Sequence, residues 1–387
     1  MSAPGDARPS LLAVATLPPW PTTNGYALRV GHLLEELARD WSITLVAPAS
    51  DQMPPQITRH VPVTLPARGV TYPWRYDQTT LAAALAHALA TRRHDCALVW
   101  AGAEALWFGR RDLPPAVVDA IDCNPLEFWR GALSYRDLRQ RLRALREIPV
   151  ASRYTRRMVR SFAATVCVGE ADARWLRRIG GRDTVYAVPN GVDLPPPAAI
   201  AAEAAAPVLS FTGTLDYQPN IEAARYAVAM VWPRVLAAVP SARFRIAGRH
   251  PVPEVLALAG HSGVEIVPDV PDMRQEIGRG WVSIAPMRSG VGIKNKVLEA
   301  WACGRPVVLT RLATNGLVVP PDHAGLVADD AGAMAAAVVA LFHDAARRAH
   351  LGASARANVA AHFTWAGSAA RVAALLRAVS GPVSRSP

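Results

Sequence analysis

The chain alternates short apolar runs with longer stretches of helical spacing, and it does so twice. Leu11–Leu17 is apolar, a loop follows through Pro18, Pro19, Trp20 and Asn24-Gly25, Leu28–Leu37 carries helical spacing, and Ile43–Ala47 is apolar again. A short continuous apolar run is a strand buried on both faces, and apolar positions three or four apart form one buried stripe of a helix. Val61–Leu65, Cys96–Trp100, Ala116–Ile121, Thr165–Val168 and Val185–Val188 extend the strand series, with helices over Leu81–Ala90 and from Glu170 through Arg178. The pattern restarts at Val208–Phe211, followed by the turn Thr212-Gly213-Thr214 and a helix over Asn220–Val231. Further strands fall at Phe244–Ala247, Val264–Val267, Trp281–Ala285 and Pro306–Leu309, and helices over Ala331–Phe342, Ala345–His362 and Ala366–Ser380 finish the chain. Alternating strand and helix predicts parallel sheets covered on both faces, here two doubly wound, Rossmann-like α/β domains. The expected boundaries are 1–197 and 205–365, with 366–387 a C-terminal helix and tail packing back towards the first domain. Pro195-Pro196-Pro197 and the alanine-rich stretch to Ala206 have the composition of a linker.

Doubly wound sheets bind ligands at loops beyond the carboxyl ends of their strands. One such stretch, Ser289–Thr310, has unusual chemistry: the chain has 42 basic residues, and its only lysines are Lys294 and Lys296. Two lysines kept where arginine serves everywhere else point to a site needing a compact ammonium. Gly290 and Gly292 precede them, and Val297, Leu298, Ala300 and Trp301 give a helical stripe closed by Gly304. A lysine in a first helical turn opposes the helix dipole at a cost of roughly 0.3–1 kcal/mol. A bound phosphate outweighs that cost, because a helix start is an anion site. Glu299 shares a face with Lys296 and is suited to accept hydrogen bonds from sugar hydroxyls. Lysines for a diphosphate and a glutamate for a ribose describe a nucleotide-sugar pocket; the plainer alternative is a solvated Lys/Glu pair. Asn24-Gly25, before the first helix, could offer backbone N–H groups to a phosphate or acceptor, or be an ordinary turn. Asp119 and Asp122 flank the carboxyl end of the Ala116–Ile121 strand, and Asp122 stands where an α/β site would be lined.

Composition narrows the class. With 51% hydrophobic and 19% charged residues, the chain is globular, and no apolar run reaches the roughly 18–20 residues of a membrane span. Leu11–Ala15 suits a first buried strand better than a signal peptide. Cys96, Cys123, Cys167 and Cys303 are far apart, which favours a reducing compartment, the cytoplasm by default, and argues against structural zinc. The net charge of +11 attracts polyanions without choosing among them. Ten arginines between Trp129 and Arg160, interleaved with Tyr135, Leu138, Leu142, Leu145 and Tyr154, describe a basic amphipathic helical pair. That segment is either a solvated face or a peripheral contact with anionic membrane. Nucleic acid is not expected, because no recognised binding module is present.

The ordered motifs resemble those of the GT-B glycosyltransferases, and in particular the mostly retaining, nucleotide-sugar-dependent group 1 family. Val188-Pro189-Asn190-Gly191-Val192-Asp193 looks like the family's end-of-first-domain signature. Phe211-Thr212-Gly213-Thr214-Leu215-Asp216-Tyr217 with Pro219-Asn220 resembles its first nucleotide-domain loop. Gly292-Ile293-Lys294-Asn295-Lys296-Val297-Leu298-Glu299-Ala300 with Ala302-Cys303-Gly304-Arg305-Pro306 is the strongest match, close in form to the sugar transferases of exopolysaccharide and exosortase systems. The resemblance implies two domains facing each other across a cleft. It also implies a UDP- or GDP-linked donor and a hydroxyl acceptor; the two lysines and the helix start do not themselves require a divalent metal, and no other cofactor is expected. By position, Glu299 would hold the ribose, Lys294 and Lys296 the diphosphate with Gly213 and Thr214 nearby, and Arg249, Asp269 and Val270 the base. Asn295 would complete the donor site, and the donor sugar would fall to the Gly290-Val291-Gly292 backbone or to the first domain. Three departures stand out. Many members carry a second glutamate, for the donor sugar, where this chain has Val291; residues 213–220 lack the usual Arg and Lys; and the family's catalytic histidine is replaced by Asp122. Two alternatives share the fold: a nucleotide-sugar epimerase and a degenerate, non-catalytic partner subunit.

Overall fold

The computed structural model describes residues 8–22, 24–57, 59–65, 78–134, 138–290 and 292–381. It divides into two compact units, Met1–Gly191 with Trp365–Pro387, and Val192–Thr364. The first contains β1 (Ser10–Val14), α1 (Gly25–Leu37), β2 (Ser42–Ala47), β3 (Arg59–Pro62), α2 (Thr79–Thr91), β4 (Cys96–Trp100) and β5 (Ala116–Ile121). It continues with α3 (Asn124–Ser134), α4 (Leu138–Ser161), β6 (Ala164–Cys167), α5 (Glu170–Gly180) and β7 (Val185–Ala187). Its strands form one parallel sheet in the order β3-β2-β1-β4-β5-β6-β7.

Strand β1 is interior, pairing Leu11–Val14 with Ile43–Val46 on one side and Cys96–Val99 on the other. Alternate side chains leave opposite faces of a strand. Leu11 and Ala13 therefore join Val30, Leu33 and Leu34 of α1, while Leu12 and Val14 join Leu81 and Leu85 of α2. Both faces are buried, so the sequence shows an unbroken apolar run.

The second unit contains β8 (Val208–Thr212), α6 (Gln218–Tyr226), α7 (Trp232–Ala238), β9 (Arg243–Gly248), the single turn α8 (Pro253–Leu256), β10 (Val264–Pro268) and α9 (Met273–Arg279). It ends with β11 (Val282–Ala285), α10 (Asn295–Ala302), β12 (Val307–Leu309), α11 (Ala331–His343) and α12 (Ala345–His362). Its parallel sheet runs β10-β9-β8-β11-β12, so the order reverses between β8 and β11. That is the switch point, where neighbouring loops part to leave a crevice.

Two features differ from the expectations. The helix expected over Asn220–Val231 starts at Gln218 and widens into a π turn over Ala227–Val231 before α7. Pro233 is the cause: it has no N–H to continue the α pattern, and the wider turn absorbs the interruption. The stretch with a linker's composition is laid along the second unit. Gln275 Nε2 donates to Ala199 O at 2.9 Å and Trp281 Nε1 to Ala204 O at 2.7 Å, and Arg348 pairs with Glu203 at 3.1 Å. The chain then ends as α13 (Trp365–Ser380) in the first unit, where Ala369, Val372, Ala373 and Leu376 enter the α1 side of the core.

Candidate active site

The chemistry gathers where β8, β9, β10 and β11 of the second unit end. Strand β8 closes at Gly213, whose φ of +155° is open to glycine. A Cβ there would stand 2.8 Å from Asn220 Nδ2 and 3.0 Å from Lys296 Nζ, so glycine is required for their approach. Asn220, at the third position of α6, faces both ways: Nδ2 donates to Thr214 O at 2.8 Å, and Oδ1 accepts from Lys296 Nζ at 2.8 Å. The same ammonium lies 3.8 Å from the centre of the Phe211 ring. Burial and then the neighbouring Lys294 push Lys296 down to about 7, with Glu299 opposing them.

Lys294 is the N-cap residue of α10 and is buried, its Nζ donating to Gly292 O at 3.1 Å. Asn295 opens the helix, and Gly290 has a φ of +99° with its Cβ position 3.7 Å from Lys294 Nζ. The loop before α10 is fastened to α6 by Ser289 Oγ donating to Glu222 Oε2 at 2.5 Å. Glu299 follows one turn after Lys294 on the same helix; burial raises its carboxyl, while Lys296 and Arg249 lower it. Arg249 caps β9, and its carbonyl accepts from Leu215 N at 2.8 Å. Asp269, at φ +49°, donates its N–H to Gly248 O at 2.8 Å and accepts from His250 N at 3.2 Å, with Val270 beside it. Two basic groups, a carboxylate and the start of α10 thus converge at the switch point. Such a set can take a diphosphate and hydrogen-bond a sugar.

Gly213, Thr214, Arg249, Asp269, Val270, Gly290, Gly292, Lys294, Asn295, Lys296 and Glu299 all lie on this rim; Val291 lies outside the described residues. Sequence reasoning gave no role to Asn220, Phe211, Glu222 or Ser289. Pro219-Asn220 was visible as a motif, but its partner is 76 residues away.

Asn24, Gly25 and Asp122 belong to the first unit. Asn24 is the N-cap of α1, its Oδ1 accepting from Ala27 N at 2.9 Å, and nothing lies within 4 Å of a Cβ added at Gly25. Asp119 is inside β5 rather than at its end and is fully buried. It accepts from Arg29 Nε at 2.7 Å, and Arg29 Nη1 donates to Val188 O and Asn190 Oδ1, so the Val188–Asp193 motif is tied to the middle of the sheet. Asp122 follows Ile121, whose φ is +61°. A β-branched residue in that region costs roughly 1–3 kcal/mol. Among the described residues, the non-glycine positions with positive φ are Ile121, His250 and Asp269, each at or just beyond the carboxyl end of a parallel strand.

Residues 206–344 match the family model described as Glycosyl transferases group 1. The match lies within the second unit and covers about a third of the chain. Solved structures extend the likeness to the whole chain. A glycosyltransferase from Rickettsia africae ESF-5 is 11% identical, with a TM-score of 0.70 over 97% of this chain and 100% of that one. HepE of Anabaena, solved with UDP and glucose, is 13% identical, with a TM-score of 0.64 over 95% and 99%. WaaG, a glycosyltransferase involved in lipopolysaccharide biosynthesis, is 13% identical, with a TM-score of 0.63 over 96% and 100%. At these identities the likeness speaks for the fold, which is GT-B. No curated protein matches the sequence.

Proposed function

We propose that this glycosyltransferase moves a sugar from a UDP- or GDP-linked donor to a hydroxyl acceptor with retention of configuration. The reading places it in the cytoplasm, in glycan, glycolipid or secondary-metabolite biosynthesis. One observation carries it: the chain's only two lysines stand at the start of α10, with Lys296 held by Asn220 against Gly213 at the switch point. As the bond from the anomeric carbon to the diphosphate breaks, negative charge grows on the leaving oxygens. Lys294, Lys296 and the helix start stabilise that charge in place. Glu299 accepts hydrogen bonds from the ribose, and Arg249, Asp269 and Val270 flank the base. Retention follows if the acceptor attacks the face from which the diphosphate departs, and Asp122 takes or orients the acceptor proton.

A panel of UDP- and GDP-sugars, scored by released nucleotide, tests the reading. Lys294→Ala and Lys296→Ala should each lower turnover at least tenfold while leaving the melting temperature within a few degrees. Unchanged turnover in both variants refutes the assignment. Donor consumed without acceptor, yielding an isomerised sugar, identifies an epimerase; failure to bind UDP or GDP identifies a non-catalytic subunit.

A second reading rests on the first unit. Helix α4 buries Ala144, Ala151, Met158 and Val159, yet exposes Leu138 (65%), Leu142 and Leu145 among arginines, beside Leu133 (67%) of α3. Arg139, Leu142, Arg143, Arg146 and Glu147 line a cavity of about 320 Å³ there. No helix among the described residues is long and apolar enough to cross a membrane. Leucines between arginines match an anionic bilayer surface, apolar contact and charge attraction acting together. Sedimentation with phosphatidylglycerol vesicles should carry the protein down and phosphatidylcholine vesicles should not; equal behaviour with both overturns this contact.

A further inference from the structure

Among the described residues of the first unit, the end of β5 is built as no other strand end. Its register against β6 slips, Asp119 pairing with Val166 and Ile121 with Cys167, so Ala120 is the extra residue of a bulge. A bulge re-aims the side chains that follow it. Ile121 then takes its left-handed backbone, the conformation that a β-branched residue resists most. Hydrogen bonds hold this turn from both sides. Ile121 N donates to Asp119 Oδ1 at 3.0 Å, Asp122 N to Ala120 O at 2.7 Å, and Val168 N to Ile121 O at 2.8 Å. Cys123 N donates to Asp172 Oδ1 at 3.1 Å.

The two aspartates are not surface residues. Asp119 divides its carboxylate between the Ile121 N–H and the Arg29 guanidinium. Asp172, in the first turn of α5, is fully buried, and its Oδ2 has no hydrogen-bond donor on it among the described residues. A buried carboxylate half satisfied is an expensive way to hold one backbone N–H, and a strained backbone persists only where its surroundings over-determine it. Such strain gathers at sites that need a group preset before the ligand arrives.

We infer that the Ile121–Cys123 turn is a preset element that aims Asp122 at the acceptor, and that Asp172 and Asp119 are its positioning residues. This rests on the reading that Asp122 acts in transfer. Neither positioning carboxylate meets substrate: each works through a backbone N–H on either side of Asp122.

The test uses the full chain, the panel donor that releases most nucleotide, and water as acceptor. Asp122→Asn should lower kcat about a hundredfold. Asp172→Ala should lower kcat at least tenfold, with donor KM and UDP affinity within about twofold of the parent. Asp172→Asn, whose amide oxygen still accepts from Cys123 N, should recover to within about threefold. Asp172→Ser, whose shorter oxygen cannot reach that N–H, gives the same loss as alanine and serves if the alanine variant does not fold. A role in folding alone would change the active fraction without this split between kcat and KM or the rescue by asparagine. Full kcat in the alanine or serine variant, or an asparagine variant as slow as either, overturns the inference while the function stands. Full kcat in Asp122→Asn removes the reading beneath it and the inference together.

Discussion

Donor binding should draw a proton from solution, and Lys296 is the reason. Its Nζ lies 2.8 Å from Asn220 Oδ1 and 3.8 Å from the Phe211 ring centre, and burial with Lys294 brings it down to about 7. At pH 7 about half the molecules therefore hold an uncharged amine there. A phosphate charge about 4 Å away contributes roughly 4 kcal/mol of attraction at an effective dielectric near 20. At about 1.36 kcal/mol per pKa unit, that lifts Lys296 by nearly three units, so the occupied site is fully protonated. Uptake per donor bound should be about 0.1 proton at pH 6, about 0.5 at pH 7 and about 0.9 at pH 8. The sign follows: the bound-state pKa is the higher one, so the affinity gained from this charge is complete below pH 7. It is lost as pH rises, towards tenfold per unit by pH 8 and above. Calorimetry with UDP-glucose in buffers of equal pH but different ionisation heats measures the uptake directly. The sugar nucleotide is the right probe because both of its phosphates are esterified and neither titrates near neutrality. Lys296→Arg keeps a permanent charge and should bind without uptake. Binding heats of the parent that are independent of buffer at pH 7 and 8 would refute the reasoning.

Asn220→Asp puts a carboxylate where an amide oxygen meets Lys296, so the ammonium should stay charged and proton uptake at pH 7–8 should vanish in the same calorimetry. Gly213→Ala forces a Cβ to within 2.8 Å of Asn220 and 3.0 Å of Lys296, and should weaken UDP affinity at least tenfold; an unchanged affinity contradicts the packing. Glu104, buried beside Tyr154, is pushed up to about 7 by burial, above its ordinary 4.5, so its contribution to stability is present below pH 4.5 and falls as pH rises through 7. Glu104→Gln should remove that slope and stabilise the protein by up to about 3 kcal/mol at pH 8, while gaining little at pH 4.5, as read by urea unfolding at both pH values.

Much of this protein is legible in its sequence because the relevant signals are local. An unbroken apolar run such as Cys96-Ala97-Leu98-Val99-Trp100 marks a strand buried on both faces, and it is one. Helical spacing located α1, α2 and α5 to within a few residues, because one buried stripe needs only neighbours three or four positions away. The lysine pair and Glu299 stood out by residue type and spacing. The wide turn before α7 was harder, because the apolar stripe runs on through Val228 and Val231. Only Pro233 beyond it announces the change of pitch.

What the order of residues determined alone is the sequence of strands and helices, the repeat of one α/β plan in two halves, and the placing of two lysines at the start of α10. What only the tertiary structure decided is which distant groups meet. Arg29 reaches Asp119 across 90 positions, Lys296 reaches Asn220 across 76, and Cys123 is held by Asp172 across 49. These pairings depend on sheet order, and sheet order is set by which covered faces pack, a property of no short window of sequence. The same holds for charge: Lys296 stands near neutrality because of what surrounds it after folding. Periodicity reports which way a side chain points, and burial with its partners decides what that side chain can do.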